Sequence, residues 1–368
     1  MQPEYDRTAV VVGVVVLVVV GVLSVGIGVG VGGAAGTAGA TAAADGECSF
    51  PLTVTDGSDT EMTIDDEPER VVTVWPSAAQ PVWDIGAEER VVGVTHWAHY
   101  LEGAENRTNV SYAGGGIDRE VIVGLEPDLV LAAHVTDDQA VEALRDAGVT
   151  VYQFAEPTSM ADIRTNVLVT GQLLGQCGEA DRTVEWMNHT VDAVEAATPN
   201  ASEDRPRVLY VTPFGYGPGT DTFAHTIIET AGGENVLATA GLAGWGQVNP
   251  EVVAAQDPEW IVVNDRQPEI PDGAVYQNTT AVTQNRTVVV AHPHINQPGP
   301  RVVYAMVTLA NEIHDAGIEV EHPQDWDPEP FRVEPTAESP DAATGLVGAA
   351  VGATVLLVAG VLLWRERR

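Results

Sequence analysis

The sequence predicts an α/β protein of two lobes, each with a central parallel β-sheet flanked by helices, the two joined by a rigid long interlobe helix. Three observations lead there. Short apolar, β-branched runs such as "RVVTV" at Arg70 and "RVLYV" at Arg207 alternate with stretches of helical spacing, the pattern of βαβ units feeding a parallel sheet. One sentence occurs twice: "DREVIVGLEPDLVLA" from Asp118 and "NPEVVAAQDPEWIVV" from Asn249, each with a Glu seven residues before a Pro, so that Glu120 and Glu251 stand 131 positions apart. Between the halves, Val184, Met187, Val191 and Val194 recur at helical spacing among Asp and Glu, where a flexible connection would be rich in Gly and Ser.

Residues 1–44 carry no charge from Ala9 to Ala44 and run from an apolar heart into "GATAAA", which reads as an export signal or, uncleaved, an N-terminal anchor. Residues 45–69 form an N-terminal extension. The N-terminal α/β lobe, 70–158, opens on "ERVVTVWP", reaches the first Glu-bearing helix and leaves through the strands "LVLAA" and "TVYQF". The interlobe segment, 159–199, holds one helix to about Leu174, a break around "GQCG", and a second helix from Glu179 to Ala197, roughly 28 Å long. The C-terminal α/β lobe, 200–318, repeats the order with "RVLYV", the second Glu-bearing helix, "WIVV" and "TVVVA". An acidic, Pro-containing stalk follows at 319–345. The apolar run 346–364 is long enough to span a bilayer, and Arg365, Arg367 and Arg368 in the tail 365–368 favour the cytoplasmic side, which puts everything before it outside the cell.

Composition agrees with export into brine. There are 53 acidic residues against 17 basic ones, all of them Arg, for a net charge of −36. Such a coat is tolerable where molar salt shortens the Debye length to about 3 Å, and it excludes nucleic acid as a partner. In an oxidising compartment the two cysteines, Cys48 and Cys177, are expected to pair, the alternative being two free thiols. Sequons begin at Asn106, Asn109, Asn188, Asn200, Asn278 and Asn285, as suits an exported glycoprotein.

The repeated sentence has a local physical reading. Asp118 and Asn249 are N-caps, Pro250 takes the first helical position, and Pro127 and Pro258 block continuation. Both glutamates then sit in the first turn, where the helix dipole favours a carboxylate by about 0.3–1 kcal/mol. In open parallel sheets those helix starts lie at the carboxyl ends of strands, the ligand-binding side.

With "RVVTVWPSAAQPVWDIGAEERVVGV", "GGGIDREVIVGLEPDLVLA", "VEALRDAGVTVY", "GQLLGQCGEA", "RVLYV", "IIETAGGENV" and "VNPEVVAAQDPEWIVV" in order, the chain from about Arg70 to Asp315 resembles the cobalamin and iron-siderophore class of ABC-importer substrate-binding proteins. The resemblance implies two lobes bridged by a rigid helix, a ligand held between them with little closure, and a monomer that serves a membrane permease and its cytoplasmic ATPase. It also implies one docking Glu per lobe, pairing with permease Arg residues; Glu120 and Glu251 occupy those positions. No lipobox is present, since Cys48 follows "DGE", and the C-terminal tail resembles the anchors of haloarchaeal surface proteins without their Pro-Gly-Phe signature.

Residues at the expected carboxyl ends of strands are rich in aromatic and His side chains: Trp75, His96, Trp97, His99, His134, Phe214, Tyr216, Trp245, His292 and His294, with Arg266 and Arg301 as the available cations. Flat apolar surfaces with polar tips suit a ligand with an extended ring face. Few cations in the cleft rank a corrinoid first and a ferric siderophore second. Haem on an axial His, or a bare transition metal on "HWAH" and "HPH", are the alternatives. No nucleophile elbow, phosphate-binding loop or catalytic carboxylate pair is found, so neither an enzyme nor an enzymatic cofactor is expected. A non-transport surface protein would more often be built of β-sandwich repeats.

Overall fold

The computed structural model describes residues 48–112, 114–198, 205–212 and 214–326. The expected signal or N-terminal anchor (1–44), the stalk beyond 326, the helix at 346–364, the Arg tail (365–368) and the sequon at Asn200 lie outside the described residues.

An antiparallel hairpin of β1 (Leu52–Thr55) and β2 (Glu61–Ile64) precedes the first sheet. Strands β3 (Val71–Val74), β4 (Val91–Val94), β5 (Thr108–Asn109), β6 (Leu129–Ala132) and β7 (Val151–Gln153) form that sheet in the order β5-β4-β3-β6-β7, with every pairing parallel. In the second half come β8 (Arg207–Tyr210), β9 (Tyr216–Pro218), β10 (Glu234–Asn235), β11 (Trp245–Gln247), β12 (Trp260–Asn264) and β13 (Thr287–Val290). Four of these make a parallel sheet in the order β10-β8-β12-β13, while β9 and β11 pair as a separate antiparallel ribbon. The runs "VVTV" and "LVLA" are buried at every position, as strands covered on both faces must be.

The helices of the first half are α1 (Pro76–Asp84), α2 (Arg119–Gly124), α3 (Asp138–Asp146) and α4 (Met160–Leu173), followed by α5 (Cys177–Ala197). A capping box of Ser159 and Asp162 starts α4. The break before α5 falls where "GQCG" predicts it, but α5 begins at Cys177, two residues ahead of the expected Glu179. The helix buries Ala180, Thr183, Met187, Val191 and Val194, and also Trp186, and it packs on α4. The second half contributes α6 (Phe223–Thr230), α7 (Val236–Thr239), α8 (Pro250–Gln256), α9 (Ala274–Gln277), α10 (Thr280–Thr283), α11 (His292–Ile295) and α12 (Val302–His314), the last packed against α5 and α6.

Strand alternation divides the core three ways. Val71, Leu129 and Leu131 of the first sheet share one apolar cluster with Val208, Tyr210, Val262 and Val288 of the second, through α1, α4, α5 and α12. The opposite faces, Val72, Val74 and Val130 on one sheet and Leu209, Ile261 and Val263 on the other, close separate clusters. A single core therefore runs through both halves, and each half keeps an outer core of its own.

Cys48 and Cys177 form a disulfide with Cα atoms 5.7 Å apart, tying the residue that begins the described chain to the first turn of α5.

Candidate functional site

The carboxyl end of the first sheet carries an aromatic platform. Trp75, directly after β3, is the N-cap of α1 and is held at φ 74°, ψ 152°, a conformation a bulky L-residue adopts only under constraint. Its ring stacks on Trp97, with centroids 4.3 Å apart and planes at 18°, and the His96 ring lies 3.9 Å from Trp97. Trp75 Nε1 is buried with no hydrogen-bond partner among the described residues. Beside the platform is a cavity of about 380 Å³ lined by Trp75, Tyr112, Ile117, Arg119, Val135 and Asp137. Tyr112 is 52% exposed and was not singled out from the sequence; its signal was an aromatic in the turn after β5. His134, after β6, shares a crevice with Phe154 and with Pro298 from the other half, and burial lowers its pKa against the opposing pull of Glu156. His99 is exposed on the turn below His96.

The second sheet presents its aromatics differently. Phe214, Tyr216 and Trp245 are 75%, 47% and 42% exposed. In the ribbon register Tyr216 faces Gln247 and Pro218 faces Trp245, so both aromatics lie on one face, diagonal to each other. The other face holds the Gly217–Gly246 pair, and a Cβ on Gly217 would collide with Leu237 and the Tyr210 carbonyl, so that face must turn inward. Trp245 also meets Tyr210 edge-on at 5.9 Å. A hollow of about 700 Å³ lies beside Phe214, Gln247, Asn249 and Tyr276, at the start of α8. His292 and His294 sit on α11; burial, then the Arg266 charge, lowers the pKa of His292, and burial, then Arg301, takes His294 down to about 4. The His294 ring packs 5.0 Å from Tyr304. Arg266 is exposed on the loop after β12.

Arg301, expected in the cleft, is used inside the protein instead. Its Nε and Nη2 donate to Asp84 Oδ1 at 3.0 and 2.8 Å across 217 positions of sequence, and the Asp84 carboxylate is 0% exposed. Burial pushes the Asp84 pKa up, with Arg301 and His322 pulling against it. The reason for the difference is placement: Arg301 is the N-cap of α12, and that turn aims it at the end of α1. A second cross-link runs from Gln80 Nε2 to the Pro293 carbonyl at 3.0 Å, and Gly299 packs so close to Gln80 that a Cβ there would clash. The first part of the expected stalk is also fastened down: Trp186 Nε1 donates to the Glu321 carbonyl at 3.0 Å, and Gln324 Nε2 to the Trp83 carbonyl at 2.7 Å.

Glu120 and Glu251 are exposed in the first turns of α2 and α8. Asp118 caps α2 by accepting from Val121 N at 3.2 Å, and Asn249 caps α8 by accepting from Glu251 N at 2.9 Å. Neither glutamate side chain has a hydrogen-bond or ion-pair partner among the described residues, and no three His, Cys, Asp or Glu side chains among them converge as a metal site.

Two parallel sheets flanked by helices, with aromatic residues at their carboxyl ends, define a protein of the two-lobed α/β type. The chain belongs to the family described as "Periplasmic binding protein", whose signature matches residues 71–293. It is 41% identical over 287 residues to a cobalamin-binding protein of Halobacterium salinarum, covering 75% of this chain and 77% of the relative. It is 26% identical to the ABC transporter substrate-binding lipoprotein YvrC of Bacillus subtilis, covering 72% and 86%. Among solved structures, the apo form of the periplasmic haem-binding protein RhuT from Roseiflexus sp. RS-1 superposes with a TM-score of 0.61 at 25% identity, covering 67% of this chain and 98% of that one. All three are described as binding proteins, and YvrC as the substrate-binding lipoprotein of an ABC transporter.

Proposed function

We propose that the protein is the extracytoplasmic receptor of an ABC importer, capturing a metal complex between its lobes and handing it to a membrane permease driven by a cytoplasmic ATPase. A corrinoid is the first choice of cargo and a ferric siderophore the second. The observation that carries this reading is the pairing of aromatic faces at the carboxyl ends of both sheets: Trp75 and Trp97 on one, and Phe214, Tyr216 and Trp245 on the other. Flat ring surfaces match a macrocycle, and His134 and His292 supply polar tips. The engagement of Arg301 by Asp84 strengthens the ranking, because it removes one of two cations an anionic siderophore would need. The cobalamin-binding relative at 41% identity points the same way.

Haem is the second reading, favoured by the half-buried His96 beside the tryptophan stack and by the likeness to a haem-binding structure. A bare metal ion finds no convergent ligand set among the described residues. Glu120 and Glu251, without partners among the described residues, are the proposed permease-docking points, where rim charges fix register and orientation. The segment 346–364 is the proposed anchor of a monomer at the cell surface, the lobes divide near 158 and 200, α5 acts as the rigid bridge, and the exposed sequons at Asn106, Asn278 and Asn285 carry glycans.

Isothermal calorimetry in molar salt with cobalamin, haemin and a ferric siderophore tests the cargo: cobalamin should bind most tightly, and no heat with any of the three removes the reading. Glu120→Ala combined with Glu251→Ala should abolish uptake while leaving ligand affinity unchanged. A fall in affinity would move the glutamates from the docking surface into the binding cleft.

A further inference from the structure

The side chains around His96 fix its tautomer and leave one ring nitrogen free. The backbone N–H of Ser111 donates to Asn109 Oδ1 at 3.1 Å, and an N–H can only donate, so that atom of the Asn109 amide is its oxygen. Asn109 Nδ2 accordingly donates to the Ser111 carbonyl at 3.1 Å. The Ser111 hydroxyl, 2.7 Å from Asn109 Oδ1, must give that oxygen its only proton. Its two lone pairs remain for the His96 backbone N–H at 3.1 Å and His96 Nδ1 at 2.7 Å. His96 Nδ1 therefore carries a proton, and in the neutral imidazole the lone pair falls on Nε2, which has no hydrogen-bond partner among the described residues. Ser111, which joins these bonds, is buried. A histidine held by its Nδ1–H on a fixed acceptor has the geometry of a metal ligand with its outer shell in place.

We infer that His96 Nε2 is an axial ligand to the metal of the cargo, a planar macrocyclic complex with an exchangeable axial position. The inference rests on the receptor reading above, and under the first choice of cargo the metal is cobalt. The step is a ligand exchange: the Nε2 lone pair forms a Co–N bond, the Co–O bond to a coordinated water breaks, and the water leaves with no change of oxidation state. Asn109 and Ser111 act as positioning residues. The receptor then selects among corrinoids by their upper axial group, because a cyanide there does not exchange and a water does. The sequon at Asn109 is thereby assigned an internal role, with its amide and its Ser111 hydroxyl both engaged.

The test uses the full chain in molar salt with aquacobalamin, cyanocobalamin and haemin, read by absorption spectroscopy for coordination and by tryptophan quenching for binding. Aquacobalamin should change spectrum on binding the wild type, and cyanocobalamin should bind without a change. His96→Ala should abolish the spectral change and weaken aquacobalamin by a larger factor than it weakens cyanocobalamin. Asn109→Leu lets the Ser111 hydroxyl turn its proton toward Nδ1 and should weaken aquacobalamin about tenfold, whereas Asn109→Asp keeps an acceptor and should restore it. A His96-dependent change with haemin alone keeps the axial role and makes the metal iron. If the wild type binds cyanocobalamin and no His96-dependent change occurs with either open complex, the axial role is overturned and the receptor reading stands. Absence of binding by all three overturns both.

Discussion

The two glutamate helices are alike at their bases and unlike at their rims. Below α2, Arg70 Nη2 donates to the Leu125 carbonyl at 2.6 Å and Nε to that of Glu126; below α8, Arg207 Nε donates to the Gln256 carbonyl at 2.7 Å and Nη2 to that of Asp257 at 3.0 Å. Each helix leaves through a non-glycine residue with positive φ, Glu126 at 47° and Asp257 at 40°, immediately before a Pro. Two residues on, an acid returns the bond: Asp128 Oδ2 accepts from the Arg70 N–H at 2.8 Å, and Glu259 Oε2 from the Arg207 N–H at 3.1 Å. The duplication is thus a clamp in which an Arg at the start of a strand closes the end of the glutamate-bearing helix that precedes the neighbouring strand. At the rims the resemblance stops, with a packed tryptophan stack on one half and an exposed ribbon of aromatics on the other. What the halves share is the clamp beneath an exposed glutamate; where they differ is the aromatic surface at the carboxyl ends of their strands.

That comparison presumes two halves held in one body, and the largest expected effect comes from breaking the tie. Arg301→Ala leaves Asp84 buried without its partner, which should cost about 3–5 kcal/mol in chemical denaturation. Replacing both Asp84 and Arg301 with Leu should recover most of it, since a buried pair exchanged for apolar groups is often neutral. If the double change is no better than the single one, the pair holds the halves by something other than its charge.

Acid should separate the halves next. Burial is the first cause lowering the pKa values of His292, His294 and His314 in the second half, against only His134 in the first. A histidine whose folded pKa lies below its unfolded value is neutral in both states above about pH 6.5, so it has no effect there. As pH falls from 6.5 toward 4 the unfolded chain takes up a proton that the fold resists, and stability drops by about 3 kcal/mol for His294 alone, with its folded value near 4. Hydrogen exchange at pH 5 in molar salt should show protection lost around α11 and α12 before it is lost around α1. Equal loss in both halves would contradict this.

A smaller effect measures the clamp itself. Arg207 is only partly exposed and also lies 3.4 Å from Glu259, whereas Arg70 is exposed, so Arg207→Ala should cost about 2 kcal/mol and Arg70→Ala about 1. A reversed order in urea titrations would mean that the two bases are not equivalent clamps.

The sequence carried the strands because buried parallel strands are written as unbroken runs, and it carried the helix starts because Asp118, Asn249 and Pro250 are local signals. The pairing of Cys48 with Cys177 needed only the compartment and the count. Other features had no local signature. The β9–β11 ribbon consists of three-residue strands laced with Gly, too short for any period to appear. The tie between Asp84 and Arg301 joins residues 217 positions apart, and position in the chain placed Arg301 among the cleft residues after β13 when the first turn of α12 directs it elsewhere. "NVS" at Asn109 read as a glycosylation triplet, and only the contact with His96 gives it another use.

The smallest effect bears on why one copy is capped by Asp and the other by Asn. Both caps act through a side-chain oxygen, Asp118 on the N–H of Val121 and Asn249 on that of Glu251, and removing either oxygen by Ala should cost about 1 kcal/mol. Asp118 adds a negative charge at a helix start that already carries Glu120. In dilute buffer the charge is favourable to the dipole and unfavourable to its neighbour; in molar salt both interactions are screened within about 3 Å. Asp118→Asn should therefore leave stability within a few tenths of a kcal/mol in molar salt, where only the oxygen matters. A larger loss at high salt would show that the carboxylate of Asp118 has a partner of its own, and the two copies would then differ at the base as well as at the rim.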